Sequence, residues 1–254
     1  MSTPAACVSF AAHSPRQPYR DRNTDAGGGT TPCMHVVVNA AMSVDGKLSS
    51  RRREQIAISG DEDFDRVDRI RAAADGIVVG IGTVLADDPH LTLDVTDRRV
   101  QRQRHGRDGN PARIVVDSDG RTPTDARILD DEATTYVLVA ESAPDDRRDA
   151  LADAGADVIV AGDDRVDLAV AVDKLADAGL DRLMIEGGGE IIFSAFDAGL
   201  VDELSVYVGS LLIGGRDAPT LADGEGFVDD FPELTLDAID RFDDGVVLNY
   251  TVGD

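Results

Sequence analysis

Three consecutive glycines between two carboxylates form the sharpest chemical feature of the sequence. The segment reads IEGGGE at residues 185–190, between a short run typical of a buried strand and an apolar helical segment. Glycine lets the backbone approach a ligand closely, and the free N–H groups at the start of a helix attract phosphate. A plain turn needs only one glycine, so the run favours a nucleotide or sugar-phosphate site. It lacks the GxGxxG spacing of the dinucleotide-binding fingerprint.

A second strand also enters a helix through glycines, in VGIGTVLADDP at residues 79–89. Thr83 can cap the helix or donate to a ligand, and two carboxylates, Asp87 and Asp88, precede a proline that must end the helix. An N-cap threonine and two turn aspartates explain the pattern equally well. The spacing alone leaves both interpretations open.

Cationic side chains are the third candidate group. Lys47, in MSVDGK at residues 42–47, is one of only two lysines, and three arginines follow at residues 51–53. Arg71 lies one step from the apolar positions of a predicted helix, where it could reach the edge of a cleft. Each could bind an anionic substrate. The ordinary alternatives are a solvated turn for Lys47, a loop paired with surface aspartates for the three arginines, and a surface ion pair for Arg71.

The composition limits the partners. The 254 residues carry 25 Lys+Arg against 49 Asp+Glu, a formal net charge of −24, which disfavours nucleic acids. No apolar run approaches the length of a membrane span. Nine of the acidic residues are glutamate, so aspartate predominates, as it does on the surfaces of proteins from salt-rich cells. The two cysteines are too few to form a disulfide framework. We expect a cytoplasmic, halophilic protein that avoids membranes.

Several kinds of catalytic machinery are absent from the sequence. The four histidines are scattered, and no zinc-deaminase, GxSxG, Walker A or HExxH pattern is present, so we expect no metal. What remains suits a reaction in which a cofactor performs the hard step and the protein supplies phosphate sites and orientation.

The elements that must position these residues alternate between β-branched runs and helical periods, which predicts an α/β fold in one domain. Residues 1–34 predict a disordered extension, and residues 35–254 the folded domain. Strands are expected at 35–40, 77–81, 113–117, 136–140, 158–161, 182–186 and 203–208, with a final antiparallel hairpin at 234–239 and 246–252. Helices are expected at 59–74, capped by Ser59 and Glu62, near Thr83, and at 144–154, 166–178 and 190–198. Residues 97–110 predict a polar surface loop.

Taken in order, the motifs resemble a known family. They are MSVDGK at 42–47, VGIGTVLADDP at 79–89, RIVVDS at 113–118, IEGGG at 185–189 and GLVDELSVYVGSLLIGGRDAPT at 199–220. Together they are similar to the archaeal 2,5-diamino-6-(ribosylamino)-pyrimidinone 5′-phosphate reductases of riboflavin biosynthesis and to the reductase domains of bacterial bifunctional deaminase-reductases. The likeness covers about residues 35–254.

The resemblance implies a dihydrofolate-reductase-like fold, with a mostly parallel sheet flanked by helices and a C-terminal hairpin, NADPH as hydride donor, and a homodimer. By motif position it implies an NADPH site formed by Thr83, Asp87, Ser118, Gly187, Gly188, Gly189, Glu190 and Ile191, continuing to residue 194. It likewise implies that the substrate meets Gln55, Arg71, Leu91 and Glu186.

The implied reaction reduces C1′ of an opened ribosylamino group to a ribitylamino chain, and needs orientation and a proton but no side-chain nucleophile. Glu186 and Asp45 are the ionisable groups that motif position brings nearest, and water is an alternative proton source. Arg71, assisted by Lys47 or by the three arginines at residues 51–53, is expected to hold the 5′-phosphate, because guanidinium offers a bidentate fork. A pteridine reductase of the same fold and a non-catalytic nucleotide-binding protein are the alternatives.

Overall fold

The computed structural model describes residues 34–54 and 56–253, so Gln55 and the predicted extension up to Cys33 lie outside the described residues. The strands are His35–Ser43 (β1), Gly76–Gly80 (β2), Ala112–Val116 (β3), Thr135–Val139 (β4), Asp157–Val160 (β5), Arg182–Gly187 (β6), Glu203–Gly209 (β7), Leu234–Phe242 (β8) and Gly245–Val252 (β9). The helices are Asp61–Ala73 (α1), Ile81–Asp87 (α2), Thr96–Arg104 (α3), Asp145–Asp153 (α4), Leu168–Asp177 (α5) and Gly189–Asp197 (α6).

Within the described residues, the nine strands form one sheet in the order β5-β4-β3-β2-β6-β1-β7-β9-β8. The first seven positions pair in parallel, and β9 pairs antiparallel with both β7 and β8. This confirms the predicted mostly parallel sheet with a C-terminal hairpin. Because β2 and β6 are neighbours, the two glycine turns that follow them lie side by side.

Alternate residues of the central strands serve two cores, one on each face of the sheet. Val78 packs with Leu175 and Ile192, from helices α5 and α6, whereas its neighbours Ile77 and Val79 pack on the other face with α2 and α4. Parallel strands buried on both faces read as continuous apolar runs, which is why the sequence identifies them so well.

Helix α1 packs on the sheet through polar side chains. Arg66 is buried and donates to Asp63, to Ser205 Oγ (2.9 Å) and to Asn39 Oδ1 (2.9 Å), whereas the apolar Phe64 of the same helix is 55% exposed. The predicted Ser59 cap is also wrong, because the N-cap is Gly60 and no side chain of its own segment caps the helix. Asp243, in the β8–β9 turn, accepts from the N–H groups of Gly60 (3.2 Å), Glu62 (3.3 Å) and Asp63 (3.1 Å) instead.

The segment predicted as a polar loop at residues 97–110 contains helix α3. Its arginines make the contacts that apolar residues usually make: Arg102 donates to the carbonyls of Ala72 (2.9 Å) and Ala74 (2.6 Å), and Arg98 pairs with Asp68. Hydrophobic periodicity cannot detect a helix that guanidinium groups attach to the protein, so the loop prediction is wrong for this reason.

Candidate functional site

The candidate site lies at the carboxyl ends of β2, β3 and β6. The register pairs Val79 with Gly187 and Gly80 with Val116, and a Cβ built on Gly80 would stand 3.1 Å from the Ile191 side chain. In open parallel sheets this edge is where ligands bind. The structure therefore brings the glycine turns at residues 80–83 and 187–191 together, with Ser118 following the adjacent strand.

The three glycine positions of the turn differ in backbone conformation and in the space that a side chain would have. Gly188 has φ +86°, which L side chains rarely adopt, so the turn itself requires it. A Cβ on Gly189 would lie 2.4 Å from the Thr220 carbonyl oxygen and 2.8 Å from Asp223 Oδ2, so close packing of the chain requires glycine there. Gly187 has no positive φ and open space where a Cβ would stand. Of the three positions, Gly187 leaves the most open space for a ligand.

Arg71 and Glu186, expected to play separate roles, form a bidentate ion pair. Arg71 Nε donates to Glu186 Oε1 (2.5 Å) and Nη2 donates to Oε2 (2.7 Å), with side-chain exposures of 20% and 10%. Burial lowers the pKa of Arg71, but the Glu186 carboxylate outweighs it, so the pKa is raised overall. The guanidinium is thus fixed by a carboxylate and cannot alone neutralise a phosphate.

Helix α1 presents Arg71 from its last turn, and distant arginines hold that turn. Arg107 donates to Asp75 (2.6 Å), and Arg102 donates to the carbonyls at the end of α1. Burial, and then the Arg107 charge, lower the pKa of Arg102 to about 10, so it remains protonated at neutral pH. These contacts satisfy helix-end carbonyls that would otherwise lack partners.

Leu91 lies next to the pair in a strained loop. Its φ is +50°, and its side chain is buried in the core with α2 and α4. Arg71 Nη1 donates weakly to the carbonyl of Thr92 (3.4 Å), the following residue. Leu91 can therefore face a substrate only through its backbone, while its side chain fixes the loop.

Asp45 is an acceptor whose oxygens are already engaged. It accepts from Ser43 Oγ (2.6 Å) and from the backbone N–H groups of Ile213 (3.0 Å) and Gly214 (2.7 Å). The hydrogen bond from Ser43, and then those from Ile213 and Gly214, lower the pKa of Asp45 to about 2. A carboxylate that stays ionised at neutral pH has no proton to donate, which argues against the expected acid role.

The residues expected on the cofactor side differ in what they leave free. Thr83 is half-buried inside the first turn of α2, not at its N-cap, and its hydroxyl bonds to no described residue. Asp87 ends that helix, is exposed, and has a pKa raised by partial burial. Ser118 Oγ accepts from the Val166 N–H (3.0 Å), which leaves its proton available. Glu190 is exposed in the first turn of α6.

The motif at residues 199–220 includes most of the loop at residues 210–223, but sequence reasoning gave this loop no role in the site. The loop runs from β7 toward the glycine turn. Asp223 N–H donates to the Gly189 carbonyl (3.0 Å), and Lys47 Nζ donates to the Ala218 carbonyl (3.0 Å). The glycines at 214 and 215 and the proline at 219 mark a loop, but nothing in their spacing reveals which residues hold it.

Among the described residues, one group could offer three ligand atoms to a metal: His90, Asp130 and Glu132, within 4.8 Å of one another. Asp130 already accepts from the buried Arg113 guanidinium (2.7 Å). Its charge is therefore compensated without an ion, and we assign no metal there.

Comparison with known proteins agrees with the motif pattern. The RibD C-terminal domain family matches residues 34–248. The chain belongs to this family. A 2,5-diamino-6-ribosylamino-4(3H)-pyrimidinone 5′-phosphate reductase of Archaeoglobus fulgidus is 46% identical over 211 residues, covering 83% of this chain and 94% of that protein. Its namesake from Methanothermobacter thermautotrophicus is 44% identical over 220 residues, covering 86% and 98%.

The RibD-family chain also resembles a solved pyrimidine reductase-like protein from Corynebacterium diphtheriae. The TM-score is 0.78 at 23% identity, over 87% of this chain and 92% of that one, a likeness that concerns the fold. It agrees with the predicted dihydrofolate-reductase-like architecture. Among the described residues, no helix has the length and apolar character needed to cross a membrane.

Proposed function

We propose that this RibD-family chain is an NADPH-dependent reductase of 2,5-diamino-6-ribosylamino-4(3H)-pyrimidinone 5′-phosphate. Two consecutive residues at the end of β6 carry the proposal. Glu186 holds a partly buried ion pair, and Gly187 leaves open space at the start of a helix. The Glu186 side of this point suits a polar ring with amino donors, such as the diaminopyrimidine in the name of the reductases with 44–46% identity. The Gly187 side suits a phosphate of the cofactor.

The residues around Gly187 fit the cofactor. The open space at Gly187 and the first backbone N–H groups of α6 suit a phosphate, and Ile191 stands against Gly80 to form the wall between the two turns. Thr83 and Ser118 can donate their hydroxyl protons, and the carboxylate of Asp87 suits a ribose hydroxyl better than a phosphate. When bound, NADPH supplies the hydride that the reduction needs.

On the substrate side, the two residues of the ion pair have different roles. Arg71 fixes the orientation of the Glu186 carboxylate, which can still accept hydrogen bonds from the amino groups of a diaminopyrimidine. Because Arg71 is already paired, a 5′-phosphate needs further positive charge. Arg51, Arg52 and Arg53 are exposed and form no ion pair with any described residue, and we assign the phosphate to them together with Arg71.

Neither predicted acid is placed to supply the proton for the product nitrogen. Asp45 is ionised and engaged, and Glu186 accepts two guanidinium hydrogen bonds. We therefore propose that water protonates the imine nitrogen, and that Glu186 stabilises the resulting positive charge until the hydride reaches C1′ and neutralises it.

A second copy of the chain is proposed to cover the sheet edge at β8. Leu236 and Ile239 pair with Tyr250 and Leu248, so an irregularity between Leu236 and Ala238 keeps both side chains on one face. They are 48% and 61% exposed, on an edge strand that pairs only with β9. An exposed apolar edge promotes aggregation unless another surface covers it, which supports a homodimer.

The cytoplasmic location, the adaptation to salt and the reductase domain at residues 35–254 stay predictions from the sequence.

Anaerobic NADPH oxidation tests the function. The purified chain in molar KCl is given the diaminopyrimidine ribosylamino phosphate, its deaminated analogue or dihydrofolate. We expect rapid oxidation with a ribosylamino phosphate and none with dihydrofolate. Oxidation with dihydrofolate alone would make the chain a pteridine reductase, and NADPH binding without turnover on any of the three would make it a nucleotide-binding protein.

A further inference from the structure

The loop at residues 210–223, here called the bridging loop, is attached to the turn that follows β1. Val44 N–H donates to the Leu211 carbonyl (3.0 Å), and Asp45 accepts from two consecutive N–H groups of the loop, at Ile213 and Gly214. Leu48 N–H donates to the Pro219 carbonyl (2.9 Å). Two side chains of the turn contact the loop: Lys47 Nζ donates to the Ala218 carbonyl, and the two oxygens of Asp45 accept from two different N–H groups.

The other end of the bridging loop is attached to the glycine turn. Asp223 donates its N–H to the Gly189 carbonyl, and Asp223 Oδ1 accepts from the Thr220 N–H (3.0 Å). Gly189 is buried against this end of the loop, with no room for even a methyl group between them. A displacement of residues 220–223 must therefore displace the start of α6.

We propose that Asp45 is a positioning residue, which acts through the bridging loop to hold the Gly187–Gly189 turn in the shape that receives the cofactor phosphate. This inference rests on the proposed function. In this role the Asp45 carboxylate needs a permanent charge and two acceptor oxygens, and it transfers no proton. The low pKa of Asp45 agrees with that role, because the carboxylate stays ionised over the whole neutral range.

Asparagine is the decisive replacement at this position. Asp45→Asn keeps the shape, but its NH2 group must face one of the two loop N–H groups, where two donors repel. Asp217→Asn is the matched control, because Asp217 is an exposed acid of the same loop whose side chain forms no hydrogen bond or ion pair with a described residue. Lys47→Met, which removes the contact to the Ala218 carbonyl, is a second variant should Asp45→Asn fail to fold.

Hydrogen–deuterium exchange, NADPH titration and pH–rate profiles on these variants test the inference. We expect Asp45→Asn to speed exchange in peptides covering 211–223 and also in those covering 187–197, to weaken NADPH binding at least tenfold, and to leave the shape of the kcat profile unchanged. Lys47→Met should give the same pattern more weakly, and Asp217→Asn should match the wild type.

Two results would overturn the inference. Faster exchange confined to 211–223, with NADPH affinity intact, would show that loosening the bridging loop does not alter the glycine turn. Loss of one limb of the kcat profile, with unchanged NADPH affinity, would make Asp45 the acid. Exchange needs no substrate, so the coupling is decided even if the wild-type chain fails to oxidise NADPH, a failure that would count against the proposed function alone.

Discussion

At the scale of single residues, the Arg71–Glu186 pair determines what the site can recognise. Arg71→Ala leaves a carboxylate that is only 10% exposed without its counter-ion, which should cost about 3 kcal/mol of stability and abolish most turnover. Glu186→Gln keeps the shape and should lower mainly kcat, because the imine loses its stabilising charge. Urea unfolding and steady-state kinetics measure both effects.

Arg69→Ala is the control for these variants. Arg69 lies on the same helix and pairs with Asp65, but both side chains are about half exposed, so its loss should change stability by less than about 0.5 kcal/mol. Equal destabilisation by Arg69→Ala and Arg71→Ala would contradict the special position of the buried pair. Reduced NADPH affinity in Glu186→Gln would move Glu186 to the cofactor side.

The three glycines give a second prediction at this scale, because the same substitution should have three outcomes. Gly187→Ala should leave the melting temperature nearly unchanged and weaken NADPH binding. Gly188→Ala should cost roughly 1 kcal/mol through its positive φ. Gly189→Ala should destabilise the chain most, because its methyl group meets the Thr220 carbonyl. Calorimetry and fluorescence titration test the ranking, and three equal losses of stability would show that all three glycines serve only the turn.

At the scale of elements, helix α1 depends on a cap that comes from the other end of the chain. Asp243 accepts from three N–H groups at its start, and Glu62 in return accepts from the Asp243 N–H (2.8 Å). Asp243→Ala should therefore cost about 1–2 kcal/mol and shift the urea midpoint. Asp244→Ala, in the same turn, should be nearly neutral. Equal effects of the two substitutions would argue against the long-range cap.

How much the sequence predicts depends on the range of the contacts involved. The strands and most helices follow from local runs and periods, so the element order is predictable. Helix α3 is not, because arginines attach it, and the cap of α1 is not, because Asp243 lies 180 positions from Asp63. The motifs identify Arg71 and Glu186 as site residues, but their pairing across 115 positions appears only in the fold.

At the scale of the whole molecule, the exposed face of β8 predicts the assembly. Ile239→Lys places a charge on the apolar face and should convert a dimer to a monomer, a change of at least about tenfold in the dissociation constant, or 1.4 kcal/mol. Thr235→Lys adds the same charge to the opposite face of the strand, judged by its pairing with Thr251, and should leave the dimer intact. Light scattering in molar KCl distinguishes them; a dimer that survives Ile239→Lys would place the interface elsewhere.

The proposed reaction transfers one hydride from NADPH, and the carbon atom that receives it can be identified directly. The chain is given the diaminopyrimidine ribosylamino phosphate and NADPH deuterated at both C4 positions of the nicotinamide, and the pyrimidine product is analysed by mass spectrometry and NMR. We expect one deuterium, at C1′ of a ribitylamino chain. In Glu186→Gln we expect deuterium incorporation to fall in proportion to turnover. A pyrimidine product without deuterium, or with deuterium in the ring, would contradict the proposed reaction.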